Sequence, residues 1–179
     1  MGIKVSEIKI VPLLLFLLAV SVRLLPHPAN FTPLAAVGLF GAVYLPKRIG
    51  LLLPIIVLVI SDFFIGYYGF TMFFVYGSFL LTGIIGLLIR KKKTYLTVIG
   101  GTLLSSLLFF LITNFAVWAD PRSFYPVGIE GLQLSYIAGL PFFRNSLLGD
   151  LFFTSMLFGG YELLKIIVVK YLPSRKSLI

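Results

Sequence analysis

MFFVYGSFLLTGIIGLLIRKKKTYLTVIGGTLLSSLLFFLITNFAV, residues 72–117, is two apolar runs split by one basic tetrad. The runs 72–89 and 95–117 each fall within the roughly 17–25 residues that carry an α-helix across a bilayer. Arg90, Lys91, Lys92 and Lys93 separate them and leave almost no room for a loop. Lysine and arginine concentrate in short cytoplasmic connections, so this stretch predicts a helical hairpin with its turn in the cytoplasm.

Four further apolar runs extend the pattern, at about 10–25, 34–45, 49–66 and 146–169. The expected fold is all-α and integral to the membrane: a compact bundle of six transmembrane helices in one domain, 1–179. The second helix is short. Composition agrees. Of 179 residues, 59% are hydrophobic and only 12% charged. A soluble domain is nearer half apolar and a quarter charged.

The remaining charges test the count. Lys4 and Lys9 precede helix one, Lys47 and Arg48 join helices two and three, and Lys165, Lys170, Arg175 and Lys176 close the chain. With six crossings every basic cluster lies on one side, which puts both termini in the cytoplasm of a multi-pass prokaryotic inner or plasma membrane protein. A competing reading takes Lys4, Lys9 and Ala19-Val20-Ser21 as a secretory signal, leaving five helices. The net charge of +9 follows from these clusters, and no nucleic-acid motif accompanies it. Cysteine is absent, so disulfides, thiolate metal sites and cysteine nucleophiles are excluded.

The other polar residues gather at the opposite, outer face. Arg23 ends helix one, and His27 and Asn30 follow in Pro26-His27-Pro28-Ala29-Asn30. Asp62 lies near the outer end of helix three, ahead of Tyr67 and Tyr68. Asn114 and Trp118 end helix five. Tyr125, Glu130 and Gln133 belong to an outer loop, 118–145, segmented by Pro121, Pro126 and Pro141, in which 129–140 could form a short helix. Arg144, Asn145 and Asp150 open helix six.

Each has a bland explanation. Lone Trp and Tyr residues anchor membrane interfaces, Arg23 can snorkel, and Asp150 suits a helix start. Glu162 pairs naturally with Lys165. Asn30-Phe31-Thr32 matches a glycosylation sequon, a short and unspecific motif. Asp62 is harder to dismiss, because an anion near a helix C-terminus in hydrocarbon needs a partner. Arg23, His27 and Arg144 are the candidates, and an ion pair that merely joins helices would suffice.

Thr32-Pro33 predicts the start of helix two, with Thr32 as N-cap and Pro33 at the first helical position. The exposed N–H groups there would favour a carboxylate or phosphate. Small residues line the helices at Gly38, Gly41, Ala42, Gly83, Gly86, Gly100, Gly101, Gly159 and Gly160, permitting close packing within the chain or with a partner.

One histidine cannot build a metal cluster, and no nucleophile elbow, phosphate loop or dinucleotide fingerprint occurs. The sequence calls for no cofactor and no metal. No inverted duplication or acidic relay is evident, so a transporter of this size would need partners.

The segments RLLPHPANFTPLAAVGLFG, SDFFIG, TNFAVW, YPVGIEGL and LPFFRNSLLGDLFF span most of residues 23–158. Together they resemble an uncharacterised family of small prokaryotic membrane proteins named only as candidate transport proteins. In architecture the chain is more distantly similar to the substrate-binding S components of energy-coupling factor transporters. That resemblance implies solute capture from outside, with a transmembrane coupling subunit and ATPases as partners. S components carry an alanine-x-x-x-alanine docking motif on helix one, where this chain has only Ala19. Gly38 and Ala42 offer similar spacing on helix two.

The expectation is a protein that binds a small water-soluble solute at its outer face through Arg23, His27, Asn30, Asp62, Asn114, Arg144, Asn145 and Asp150. Trp118, Tyr67 and Tyr125 would close over it. Two other classes compete. A structural or assembly protein of the rod-shape-determining type would have internal ion pairs and no open pocket. A small membrane enzyme acting on lipid-linked substrates would use Asp62 and Asp150 as acid and base or through a metal.

Overall fold

The computed structural model describes the backbone of residues 11–171 and side chains as far as residue 167. Lys4, Lys9, Lys170, Arg175 and Lys176, used in the charge argument, lie outside the described side chains. The described residues are all-helical: α1 Val11–Leu24, α2 Leu34–Tyr44, α3 Lys47–Ile65, α4 Phe70–Lys91, α5 Tyr95–Ala119, α6 Ile129–Thr154 and α7 Gly160–Tyr171. A π-helical turn, Ser155–Gly159, joins α6 to α7, so they form one rod and the count of rods is six. Four helices are long and apolar enough to cross a membrane: α3, α4, α5 and the rod Ile129–Ile167.

The last rod departs from the sequence expectation. The helix offered for 129–140 is present and runs on without a break through 145 into the last rod, so the connector shrinks to 120–128. Pro141 sits inside α6. A proline forfeits one backbone hydrogen bond, a loss that packing against a neighbouring helix can tolerate. That neighbour is α5: Tyr136 donates to the Leu111 carbonyl at 2.9 Å, and Phe143 packs on Phe110 at 4.7 Å between centroids. Gly128, at φ 101°, supplies the left-handed turn that starts the helix.

α2 is the hub. It is apolar all round, with every residue from Leu34 to Val43 buried, as such helices must be. Its glycines and alanines make this possible. A Cβ on Gly86 of α4 would lie 2.7 Å from the Ala42 Cβ and 3.0 Å from the Leu39 carbonyl oxygen. Gly41 and Gly50 bring α2 and α3 into backbone contact. Gly38 and Ala42 are therefore consumed inside the bundle and present no outward surface.

Outward faces of the long helices carry large apolar side chains, among them Leu52, Ile56, Val59, Phe63, Phe73, Ile84, Leu88, Leu103 and Leu104. Polar side chains turn inward: Ser61, Asp62, Ser78, Thr82, Thr102, Ser106, Asp150 and Thr154 are buried. The interhelical junctions separate by charge. At one end Arg90 donates to the Leu45 carbonyl at 2.9 Å, and Lys93 reaches Tyr44 at 2.6 Å and Glu162 at 2.5 Å. The α2–α3 and α4–α5 turns therefore meet α7 there. At the other end the 66–69 turn meets the 120–128 connector, where a Cβ on Gly69 (φ 78°) would collide with the Arg122 guanidinium.

Candidate functional site

The proline-rich stretch that follows α1 explains why α2 is so short. Residues 25–30 stay mostly exposed at the end of the bundle, and Phe31, Thr32 and Pro33 then turn into it. His27 Nδ1 lies 2.7 Å from the Leu25 carbonyl oxygen, the Phe31 N–H donates to Pro28 O at 2.9 Å, and Asn30 takes φ 64°. Phe31 then wedges against α6, with its ring 5.5 Å from that of Phe153 and its Cα opposite Gly149. Asn145 Nδ2 secures the turn by donating to the Ala29 carbonyl at 3.1 Å. The start of α2 is thereby sunk below the ends of its neighbours.

Above that start lies a cavity of about 360 Å³. Its floor is Thr32, Leu34 and Ala35. Its walls are Arg23, His27 and Asn30, then Ile65 and Tyr68, then Val75, Phe79 and Thr82 of α4, Ser105 and Phe109 of α5, and Ser146 and Asp150 of α6. The first turn of α2 is bare. Pro33, not Thr32, occupies the cap position and no side chain caps it. Val37 N–H makes the first bond, to Pro33 O, so the Leu34, Ala35 and Ala36 N–H groups find no partner among the described residues. A helix end of this kind carries partial positive charge.

Arg23 forms one wall and ion-pairs with Asp62, which is fully buried. The other carboxylate oxygen of Asp62 accepts from Tyr76 at 3.0 Å and Tyr68 at 3.3 Å. Asp62 is thus satisfied by three partners behind the cavity wall and does not line the cavity itself. Arg23 Nε remains buried without a hydrogen-bond partner, as does Ser105 Oγ on the far wall. Asp150 is 7% exposed. It accepts one bond, from Ser106 Oγ at 2.7 Å, and no basic side chain among the described residues lies within ion-pair distance.

Arg23, His27, Asn30 and Asp150 therefore meet at the cavity, with Asn145 and Asp62 supporting it. The geometry separates the others. Arg144 is exposed and forms no ion pair among the described residues. Asn114 donates to its own helix, at Phe110 O, and packs against Gly139. Trp118 Nε1 donates to Pro126 O at 3.1 Å and fastens the connector. Tyr67 is 68% exposed, and Tyr125 lies in the connector away from the cavity. In that connector Arg122 donates to Asp120 through its backbone and guanidinium, holding the carboxyl below its usual range.

Sequence reasoning missed Tyr76, Ser105, Ser106 and Ser146. Tyr76 lies fourteen positions beyond Asp62 with no shared motif. Ser105-Ser106 stands mid-way along an apolar helix, and that interruption was the available signal.

A second pocket, about 430 Å³, opens at the basic end beside the π-helical turn, lined by Tyr44, Lys93, Thr94, Tyr95, Thr154 and Glu162 among others. Thr154 also accepts from Thr102 at 3.3 Å, one helical turn below Ser106. No group of three or more His, Cys, Asp or Glu residues that could hold a metal occurs among the described residues.

No curated protein matches the chain, and neither does any solved structure. Residues 4–173 match a family described as "Family of unknown function (DUF6580)", and the chain, matched over nearly its whole length, belongs to that family.

Proposed function

We propose that this chain is a six-helix integral membrane protein that captures a small water-soluble solute in the cavity above α2. The cavity opens at the end away from the basic clusters, which the positive-inside rule assigns to the outer side of a prokaryotic cell membrane. The inside-out arrangement of side chains, polar within and apolar without, supports the membrane setting. Delivery of the solute would depend on partner subunits, a coupling protein and ATPases being the kind the resemblance implies. They would dock on the outer helix faces, since Gly38 and Ala42 are buried.

One observation carries this reading. Two buried polar atoms without a protein partner, Arg23 Nε and Ser105 Oγ, belong to residues that line a cavity of ligand size. Folded proteins pair buried polar groups, and each exception calls for an explanation. A bound solute supplies one.

The structural-protein reading has its own support in the Arg23–Asp62–Tyr68–Tyr76 cluster, which joins α1, α3 and α4. Native mass spectrometry of protein purified gently from its host separates the two. A small molecule bound to the wild type and lost in Ser105→Ala and Asp150→Asn supports capture. A wild type free of small molecules, with Asp150→Asn merely less stable, overturns it in favour of the structural reading.

A further inference from the structure

We propose, resting on the capture reading above, that the solute is amphoteric: a small zwitterion with a protonated amine, a carboxylate and an apolar side, as in an apolar amino acid. The charges of the cavity, taken one by one, lead there. Arg23 and Asp62 cancel each other. Asp150 is left as a buried carboxylate with a single hydroxyl partner and no cation among the described residues. Burying a carboxylate without a matching charge is costly. A protonated amine in the cavity supplies that charge.

The opposite need exists beside it. The Leu34, Ala35 and Ala36 N–H groups have no acceptor among the described residues, and Leu34 and Ala35 line the cavity. Ser105, 2% exposed, lines the same space, and its hydroxyl has no partner among the described residues. Arg23 adds its free Nε. All of these donate, and a carboxylate accepts from several donors at once, with the dipole of α2 in its favour. A neutral amide or sugar would serve some donors but offer Asp150 no opposite charge. A simple anion would set a second negative charge near Asp150. The remaining wall, Val75, Phe79 and Phe109, is apolar and suits a hydrocarbon side chain.

The test uses the full-length protein in detergent or nanodiscs and three probes that differ by one group: phenylalanine, 3-phenylpropionate without the amine, and phenethylamine without the carboxylate. Binding is read by thermal unfolding and by calorimetry. Phenylalanine is expected to raise the midpoint in a concentration-dependent way, and each analogue to bind more weakly by about tenfold or more, because each leaves a buried group unpaired. Asp150→Asn should erase the preference for phenylalanine over 3-phenylpropionate, and Ser105→Ala should weaken both carboxylates without lowering the ligand-free midpoint.

Equal binding of all three probes, or preference for either analogue, overturns the amphoteric assignment while leaving capture intact. So does silence with all three alongside a different co-purifying molecule in native mass spectrometry. Silence with all three and no co-purifying molecule overturns both.

Discussion

Arg23, in the last turn of α1, ion-pairs with Asp62, in the last turn of α3, and Tyr68 and Tyr76 take up the other oxygen of that carboxylate. The pair is internal, so losing one partner strands the other. Asp62→Asn or Arg23→Gln should each lower stability by about 3–5 kcal/mol. Tyr76→Phe, which removes one bond to a charged acceptor, should cost about 1.5–3 kcal/mol. The joint change Arg23→Met with Asp62→Leu should recover much of the loss. Denaturant or thermal unfolding of the detergent-solubilised protein checks all four, and a double variant no better than the singles would refute the account.

Ser105 and Ser106 are chain neighbours with opposite roles. Ser106 Oγ is bonded to Asp150, while Ser105 Oγ has no partner. Ser106→Ala should cost about 1–3 kcal/mol by leaving the carboxylate unsupported, whereas Ser105→Ala should be near neutral or stabilising. The same unfolding measurement, made without ligand, distinguishes them.

This contrast shows where sequence reading stops. The number of helices was legible, because apolar runs separated by basic turns such as 90–93 mark where each one begins and ends. The need of Asp62 for a partner was also legible, from its place near a helix C-terminus. Choosing Arg23 over Arg144 was not, since that depends on which helices touch. Pro141 misled for a related reason: proline weakens an isolated helix, but α6 is held by α5. At Thr32-Pro33 local capping preference lost to the inward turn of residues 31–33, which Phe31 fixes by packing on Gly149 and Phe153. Ser105 and Ser106 differ only in the face of α5 each occupies.

Close packing around α2 gives a third prediction. Gly86→Ala would press its Cβ on Ala42 and the Leu39 carbonyl, neither of which can yield easily. A loss of about 1–3 kcal/mol is expected. Gly77→Ala, on the same helix with nothing within 4 Å of the new atom, should instead gain about 0.4–1 kcal/mol through the unfolded state.

The absence of cysteine allows a direct test of orientation. Single changes Lys92→Cys and Ser123→Cys can be labelled in intact cells or spheroplasts with a membrane-impermeant maleimide. Ser123→Cys should react from outside and Lys92→Cys only after lysis. The reverse pattern would invert the protein and place the cavity in the cytoplasm.

The brevity of α2 has an electrical consequence. Its 11 residues rise only about 16 Å, roughly half the hydrocarbon thickness of a bilayer. The cavity above α2 meets its first residues, Leu34 and Ala35, and the second pocket meets its last, Tyr44. If water fills both hollows, the insulating layer at the centre of the bundle is little thicker than that one helix. Most of the membrane voltage then falls across it, in a field about twice that of the surrounding lipid. A solute settling beside Asp150 would have crossed little of that drop. Voltage, at about 2.3 kcal/mol per charge per 100 mV, would act almost wholly on whatever later step moves charge past α2.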